Sequence, residues 1–478
     1  MRPPSAIDQP SLFDTWRPKI HVLPPSAQIG DPCAHYNDLE TGWFHVLYLH
    51  NGTGIAANGP LAVFDGSIIP SGMDDKPTLL YTSVSHLPIH WTLPYTRRSE
   101  PHSLAVTYDE GLDVTAFRDP YIFQNKDLDD TVGSSPGAWY ATISRGVHDG
   151  SGYEDWEHLR VWWSESANST WGNVGNVFSL DKEGYNVNGE TFITFGVEGS
   201  YVPITESGTS MHGMLWASGP ITIPDGGNVA FEPTMAGVLD WGTFSYAATG
   251  KVLPATSQAS EKGGAPVHFI SYNTLLLPLD NDLAWQTGSW RVEDSEKSCL
   301  KLETMGIKIA RETYKAMTST TSFAEPKRTL SDAAVVLSKH PLVTGIQAGF
   351  TILSSELEST TIYYQFSNEY IVIDRSNTNT AAQATTGIAT ATKSGRLRLF
   401  DINKHCKDDS KDGKGESHIE TLDLTIVVDN EVLEVHANSP FALSTWARAL
   451  FHDGKGEVTF SDVSVFDGLY NTYPNRVR

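Results

Sequence analysis

Short runs of aromatic and β-branched residues, each cut off by glycine or proline, recur through the chain up to about residue 290 and constrain its fold more than any other feature. Phe44-His45-Val46-Leu47-Tyr48-Leu49, Thr78-Leu79-Leu80-Tyr81-Thr82-Ser83 and Trp139-Tyr140-Ala141-Thr142-Ile143 are such runs. Met214-Leu215-Trp216-Ala217 and His268-Phe269-Ile270-Ser271-Tyr272 are two more. The 40 glycines and 26 prolines supply the turns between them. Short strands with turn signals at close intervals describe an all-β chain built as a barrel, sandwich or propeller. The 13 tryptophans fit either a sugar-stacking surface or a large apolar core.

One segment departs from this pattern. Met305 to Met317 places Ile307, Ala310, Tyr314 and Met317 at helical spacing, and a polar Thr318-Ser319-Thr320-Thr321-Ser322 follows. A short helix is expected here, closing one domain and leading into the next. Beyond it the strands alternate cleanly: Ile362, Tyr364 and Phe366 share a face, and Asp429-Asn430 turns Thr425-Ile426-Val427-Val428 into Glu431 to His436. Glu457 to Val465 is the last strand, and the near-identical Asp412-Gly413-Lys414-Gly415-Glu416 and Asp453-Gly454-Lys455-Gly456-Glu457 read as hairpin loops. The expected division is residues 1–302 as one domain, 303–321 as a linker helix and 322–478 as a β-sandwich.

Charge removes several function classes. With 34 Lys plus Arg against 57 Asp plus Glu, the formal charge is −23, which repels phosphate backbones and anionic lipid. No nucleic-acid or membrane partner is expected, and no run approaches the ~20 apolar residues of a membrane span. Cys33, Cys299 and Cys406 lie far apart with no Cys/His spacing for zinc, so neither a disulfide scaffold nor a metal site is expected. MRPPSAIDQPSLFDTW contains no apolar leader core, so the chain as written reads as cytoplasmic. Secretion is the alternative if the N-terminus is incomplete. Oligomeric state is not legible.

With no GxxxxGK[ST] and no HExxH, the chemistry falls to carboxylates. Three stand in unusual settings. Gly30-Asp31-Pro32 precedes an aromatic strand, Arg118-Asp119-Pro120 adjoins Tyr121-Ile122-Phe123, and Glu198 sits before Gly199-Ser200 after Phe192-Ile193-Thr194-Phe195. Singly, these also read as a common turn, a structural ion pair and an edge-strand residue.

Taken together, in this order, they resemble glycoside hydrolase family 32, the invertases, inulinases and fructosyltransferases. Trp16-Arg17-Pro18, the block from Gln28 to Tyr36, Phe64-Asp65-Gly66-Ser67, Arg118-Asp119-Pro120 and Glu198-Gly199-Ser200 match the family's blocks. Leu239-Asp240-Trp241-Gly242 with Tyr246-Ala247-Ala248 matches a further block near the pocket, and Val428 to Glu434 matches the sandwich signature. The likeness is closest to fungal fructosyltransferases that build fructo-oligosaccharides from sucrose.

The resemblance implies a five-bladed β-propeller followed by a β-sandwich, with Asp31 as nucleophile, Glu198 as general acid/base and Asp119 as transition-state stabiliser. Arg118, Asp65, Gln28 and Trp91 would bind the sugar. Asp65 also reads as a turn residue, and Trp91 as core. The implied activity is retaining fructosyl transfer from sucrose, with β-fructofuranosidase hydrolysis of sucrose or fructan ends as the alternative and a catalytically impaired fructan-binding homologue as the third reading. Sucrose and fructo-oligosaccharides are the implied partners, and no cofactor is required. The chain is shorter than the family pattern after Gly54, at Asp109 to Asp113 and after Asn273. Shortened blades, or dropped coding sequence, would account for this.

Overall fold

The computed structural model describes residues 18–23, 28–38, 40–41, 43–51, 62–70, 76–84, 114–147, 156–164, 172–178, 184–187, 190–198, 212–223, 229–242, 245–253, 269–273, 276–281, 283–289, 299–319, 321–331, 347–352, 358–384, 390–403, 417–430, 432–445, 452–453 and 457–466. The aromatic and β-branched runs all form strands, at Phe44–Asn51, Thr78–Val84, Trp139–Val147, His212–Gly219 and Phe269–Tyr272. Every ladder among the described residues is antiparallel, and the helices are the short Lys126–Val132, Arg311–Met317 and Thr380–Ala384. The chain is all-β.

Up to Ile309 the strands group in chain order. Gln28–Asn37 pairs with Phe44–Asn51, and Ala62–Ile69 with Thr78–Val84. Val114–Phe123, Trp139–Val147, Trp156–Ser164 and Gly172–Phe178 form a four-stranded meander. Gly184–Val187, Glu190–Glu198, His212–Gly219 and Met235–Asp240 form a second four-stranded sheet. Thr249–Val252, Phe269–Tyr272, Leu279–Asp280 and Lys308–Ile309 form a third. The first strands of four of these groups lie side by side: Gln28–Asn37 is flanked by Ala62–Ile69 and Thr249–Val252, and Ala62–Ile69 touches Val114–Phe123.

Sheets also bury both faces. Along Glu190–Glu198 successive side chains point opposite ways, so Ile193 and Phe195 join Leu128, Tyr140 and Phe231 in one cluster. Phe192 instead joins Leu239, Leu279 and Met305 in another. A strand with two apolar faces needs a sheet on each side.

The segment 305–317 is helical only in its second half. Lys308–Ile309 pairs with Leu279–Asp280, which keeps the backbone extended, and the helix begins at Arg311. Ile307 and Ala310 are buried without helical spacing, while Tyr314 is 42% exposed. Ladder hydrogen bonds and burial of Ile309 outweigh the weak preference of a seven-residue helix.

From Thr321 on, described strands pair only with one another. Gln347–Ile352, Ser359–Gln365, Tyr370–Asn377, Lys393–Arg396 and His452–Asp453 make a five-stranded sheet, and Leu424–Asp429, Val432–Ala437 and Phe441–Thr445 a three-stranded one. Ile362, Tyr364, Ile371 and Ile373 from the first meet Leu433, Val435 and Leu443 from the second. That is a two-layer sandwich core. Thr321–Ser331 pairs with Glu457–Phe466. Asn430 turns the Asp429 hairpin at φ 55°, a left-handed geometry that asparagine tolerates. Residues 412–416 and 454–456 of the two Gly-Lys-Gly turns lie outside the described residues, as do 54–61, 109–113 and 274–275 in the stretches expected to be short.

Polar groups join the two halves. Trp241 N–H donates to the Ala442 carbonyl at 2.9 Å and Ile307 N–H to that of Ser439 at 2.6 Å. His21 is buried between Asp429 Oδ2, 2.7 Å from Nδ1, and Glu434 Oε1, 2.9 Å from Nε2. Glu434 also accepts the Leu277 N–H at 2.8 Å. Among the described tryptophans, Trp216 is buried and Trp241 packs on Phe441, while Trp43 is exposed.

Candidate functional site

Three irregular strands build the site. Gln28–Asn37, which carries Asp31, shifts register between Ile29 and Pro32 and again between Cys33 and Tyr36. Pro32 cannot donate to a ladder, so a bulge there is the natural accommodation. Ala62–Ile69 shifts between Phe64 and Gly66. A Cβ on Gly66 would strike the Leu80 carbonyl, so only glycine lets the strand close up beside Asp65. Val114–Phe123 shifts between Arg118 and Tyr121, and Asp119 inside that bulge has φ 58°.

Left-handed backbone costs a non-glycine residue ~1 kcal/mol, and aspartate bears it better than most. Here the surroundings hold it in place. The Asp119 N–H donates to Thr82 Oγ1 at 2.7 Å, and the Thr82 hydroxyl donates to the Asp65 carbonyl at 3.3 Å. One threonine therefore fixes two carboxylate-bearing strands relative to each other. Ala34 and Ala247, at φ 49° and 50°, are also left-handed and adjoin the same place. Strain gathered at one spot is a signature of a functional site.

These strands enclose a pocket of about 280 Å³ open to solvent. Asp65 and Asp119 line it together, with Pro32-Cys33 on one side and Ala247-Ala248-Thr249 on the other. Asp65 is buried and Asp31 half-buried. The Cys33 thiol is pushed up to about 12, first by burial and then by the charges of Asp65, Asp31 and Asp119. It stays protonated under the charges of all three carboxylates. His35, fully buried beneath, is lowered to about 3 by burial and by Lys251, so its imidazole is neutral.

The other expected residues are placed by backbone. Glu198 ends Glu190–Glu198 opposite His212. Two residues earlier, Gly196 faces the Tyr246 ring, where an added Cβ would sit 3.5 Å from it, and Tyr246 leads directly into Ala247 of the pocket wall. Gln28 is opposite Asn51 and Arg118 opposite Ser144. Trp91 lies outside the described residues.

The block expected near the pocket divides. Ala247 and Ala248 reach it, but Asp240 turns to the junction between halves. It accepts from Gly242 N at 2.5 Å and from the Ser444 amide and hydroxyl, each at 3.1 Å. Burial pushes its carboxyl up to about 6. Thr82 and Lys251 were passed over in the sequence. A lysine enclosed by Gly250 and Val252 in a β-rich run was the available signal; Thr82 carried none.

Carboxylates converging on a small, partly enclosed pocket can accept several hydroxyl protons of one polyol and stabilise a cationic transition state. Residues 299–467 match the model for "Glycosyl hydrolases family 32 C terminal". The chain is similar to a solved β-fructofuranosidase from Aspergillus kawachii, complexed with glycerol: 42% identity, TM-score 0.79, over 97% of this chain and 96% of that one. It is also similar to a fructosyltransferase from A. japonicus: 36% identity, TM-score 0.78, over 97% and 96%. A Bombyx mori β-fructofuranosidase shares the fold at 13% identity and TM-score 0.54, over 96% and 95%. No curated protein matches the sequence.

Proposed function

The chain belongs to glycoside hydrolase family 32, and from that premise we propose that it is a retaining fructosyltransferase that moves fructose from sucrose to a sugar acceptor. The observation that carries the reading is the meeting of Asp65 and Asp119 in one pocket, with the Asp31 charge acting on the same Cys33. The first strands that bear these residues lie side by side although they are remote in sequence. We read five of the antiparallel groups up to Ile309 as the blades of a propeller, with Ile221–Thr222 on Ala230–Phe231 and Leu283–Ser289 on Cys299–Met305 as additional hairpins. We read residues 1–302 as the propeller domain and 322–478 as the sandwich, with the 303–321 linker supplying Lys308–Ile309 to the last of those five groups before its helix begins.

In this reading Asp31 attacks the anomeric carbon of the fructosyl unit while Glu198 protonates the departing glycosidic oxygen. Glucose leaves and a fructosyl–Asp31 ester remains. An acceptor hydroxyl then gives its proton to Glu198 and attacks the same carbon, releasing Asp31. Retention requires the two carboxyls ~5–5.5 Å apart. Asp119, held in its bulge by Thr82, accepts hydrogen bonds from fructosyl hydroxyls as positive charge develops. Asp65, buried on the pocket wall, grips further hydroxyls, and Arg118, Gln28 and Trp91 complete the sugar site.

Hydrolysis is the second reading, favoured by the likeness to a β-fructofuranosidase. Products formed from concentrated sucrose decide between them. Fructo-oligosaccharides with glucose in excess over fructose support transfer, whereas equal glucose and fructose establish hydrolysis. Asp31→Ala should abolish turnover with the far-UV spectrum unchanged. Full activity in that variant would remove the nucleophile assignment. Binding without turnover by the unaltered chain would point to an impaired homologue.

A further inference from the structure

Lys251 lies in Thr249–Val252, two residues beyond the pocket-lining Thr249 and therefore on the same face of the strand. Its Nζ donates to the Ile122 carbonyl at 2.7 Å and to Ser67 Oγ at 3.1 Å. It also sits 4.4 Å from the centre of the Tyr121 ring, a cation–π distance. Ile122 and Ser67 are both buried, at 0% and 1% exposure. Ser67 is two residues from Asp65 on Ala62–Ile69, and Ile122 is three from Asp119 on Val114–Phe123. One ammonium thus joins three strands from three different sheets.

We propose that Lys251 is a positioning residue for the fructosyl site: its ammonium ties the strands of Asp65 and Asp119 together and sets one half-buried positive charge beside them. The inference rests on the fructosyl reading of the pocket. Even a half-buried lysine is costly unless its charge is answered. The titratable groups around it are Tyr121 beneath the ammonium, His35, on which the Lys251 charge acts, with Tyr272 against it, and Cys33, on which the charges of Asp31, Asp65 and Asp119 act. With Cys33 protonated and His35 neutral, the charges left to answer it are carboxylates. Carbonyl, hydroxyl and aromatic-face contacts hold the ammonium in place.

A cation in this position favours ionised carboxylates and lowers the pH at which the nucleophile becomes competent. Replacing it with a neutral side chain should move both limbs of the kcat/KM–pH profile for sucrose upward by about one unit. Lys251→Met removes the charge and the hydrogen bonds. Lys251→Gln removes the charge and keeps hydrogen bonding, and Lys251→Arg keeps both. The expected result is limbs displaced upward in Met and Gln and restored in Arg, measured with each full-length variant on sucrose.

Limbs that stay in place in a folded, active neutral variant overturn the proposal, whatever the loss in rate. So does failure of both neutral variants to fold while Arg folds, because Lys251 would then serve stability alone. An unaltered chain that does not turn over sucrose overturns the fructosyl reading itself, a separate outcome from unmoved limbs in an active enzyme.

Discussion

His21→Ala should destabilise the protein more than any other single change to its N-terminal segment. The imidazole is fully enclosed, with Asp429 on Nδ1 at 2.7 Å and Glu434 on Nε2 at 2.9 Å, so both ring nitrogens face carboxylates. Two acceptors require two donors, which is the charged imidazolium. Its acidity moves from 6.5 to about 9: burial opposes the charge, and the hydrogen bonds and charges of Asp429 and Glu434 more than reverse it. At ~1.4 kcal/mol per unit this is about 3 kcal/mol. Glu434, lowered to about 2, reports the same contact from its other end, so the two are not summed. Removing one member of a buried pair costs ~3–5 kcal/mol, since the partners stay behind uncompensated. At about 1 °C per kcal/mol for a chain of 478 residues, the melting temperature should fall by roughly 3–5 °C.

The pH dependence is the sharper test. Because the folded-state value for His21 is raised, its contribution is complete below 6.5 and disappears as pH climbs through about 9. Because Glu434 is lowered, its contribution is complete above 4.5 and disappears as pH falls toward 2. The pair therefore contributes most between 4.5 and 6.5. Thermal unfolding followed by circular dichroism should show a wide gap between unaltered protein and His21→Ala inside that window and a much smaller one well above pH 9. A gap that is the same at both, or that is smaller than about 1 °C throughout, would refute a charged His21.

Asp119→Asn should keep the left-handed bulge, which asparagine tolerates, while losing most of kcat; Asp119→Ala should lose activity and also about 1 kcal/mol of stability, read by urea denaturation. Thr82→Val leaves the Asp119 amide without its acceptor and should lower kcat/KM about tenfold at a stability cost of about 1–3 kcal/mol, with both followed on the purified variant. Leu433→Ala, at 0% exposure in the sandwich core, should cost about 2–5 kcal/mol in denaturant midpoint while leaving KM for sucrose unchanged.

How much of this was legible depended on whether a residue's role was local. Strand runs such as Thr78–Val84 could be read because alternation and turn residues are short-range signals. Ile362 and Tyr364 announced their shared face in the same way. The start of the 311–317 helix was not legible, because a ladder to Leu279–Asp280, supplied from thirty residues away, decides where extended backbone ends. Asp31 and Asp119 stood out by their Gly and Pro neighbours and Asp65 by the family block it sits in, and all three lie at bulges. Thr82 and Lys251 act through other strands, and nothing beside them in sequence reports that. Asp240 shows the converse: its motif is local, but its partner Ser444 is on the far half of the chain.

A chain with a formal charge of −23 has to solve one problem twice, because it draws acidic side chains together both at its pocket and at the junction between its halves. At the junction the solution is His21, whose two ring nitrogens meet Asp429 and Glu434, with Lys19 and Ile20 amides donating to Asp429 at 2.8 Å. That arrangement saturates the carboxylate oxygens and leaves them inert. At the pocket the cation bonds to Ile122 and Ser67. A positive charge that also engages a carbonyl and a hydroxyl is anchored to the strands that carry Asp65 and Asp119. Placed between the carboxylates as His21 is, the same charge would occupy the ligand's place. The difference between a tether and a binding site in this fold is therefore where the counter-charge sits, and moving it is the way to convert one into the other.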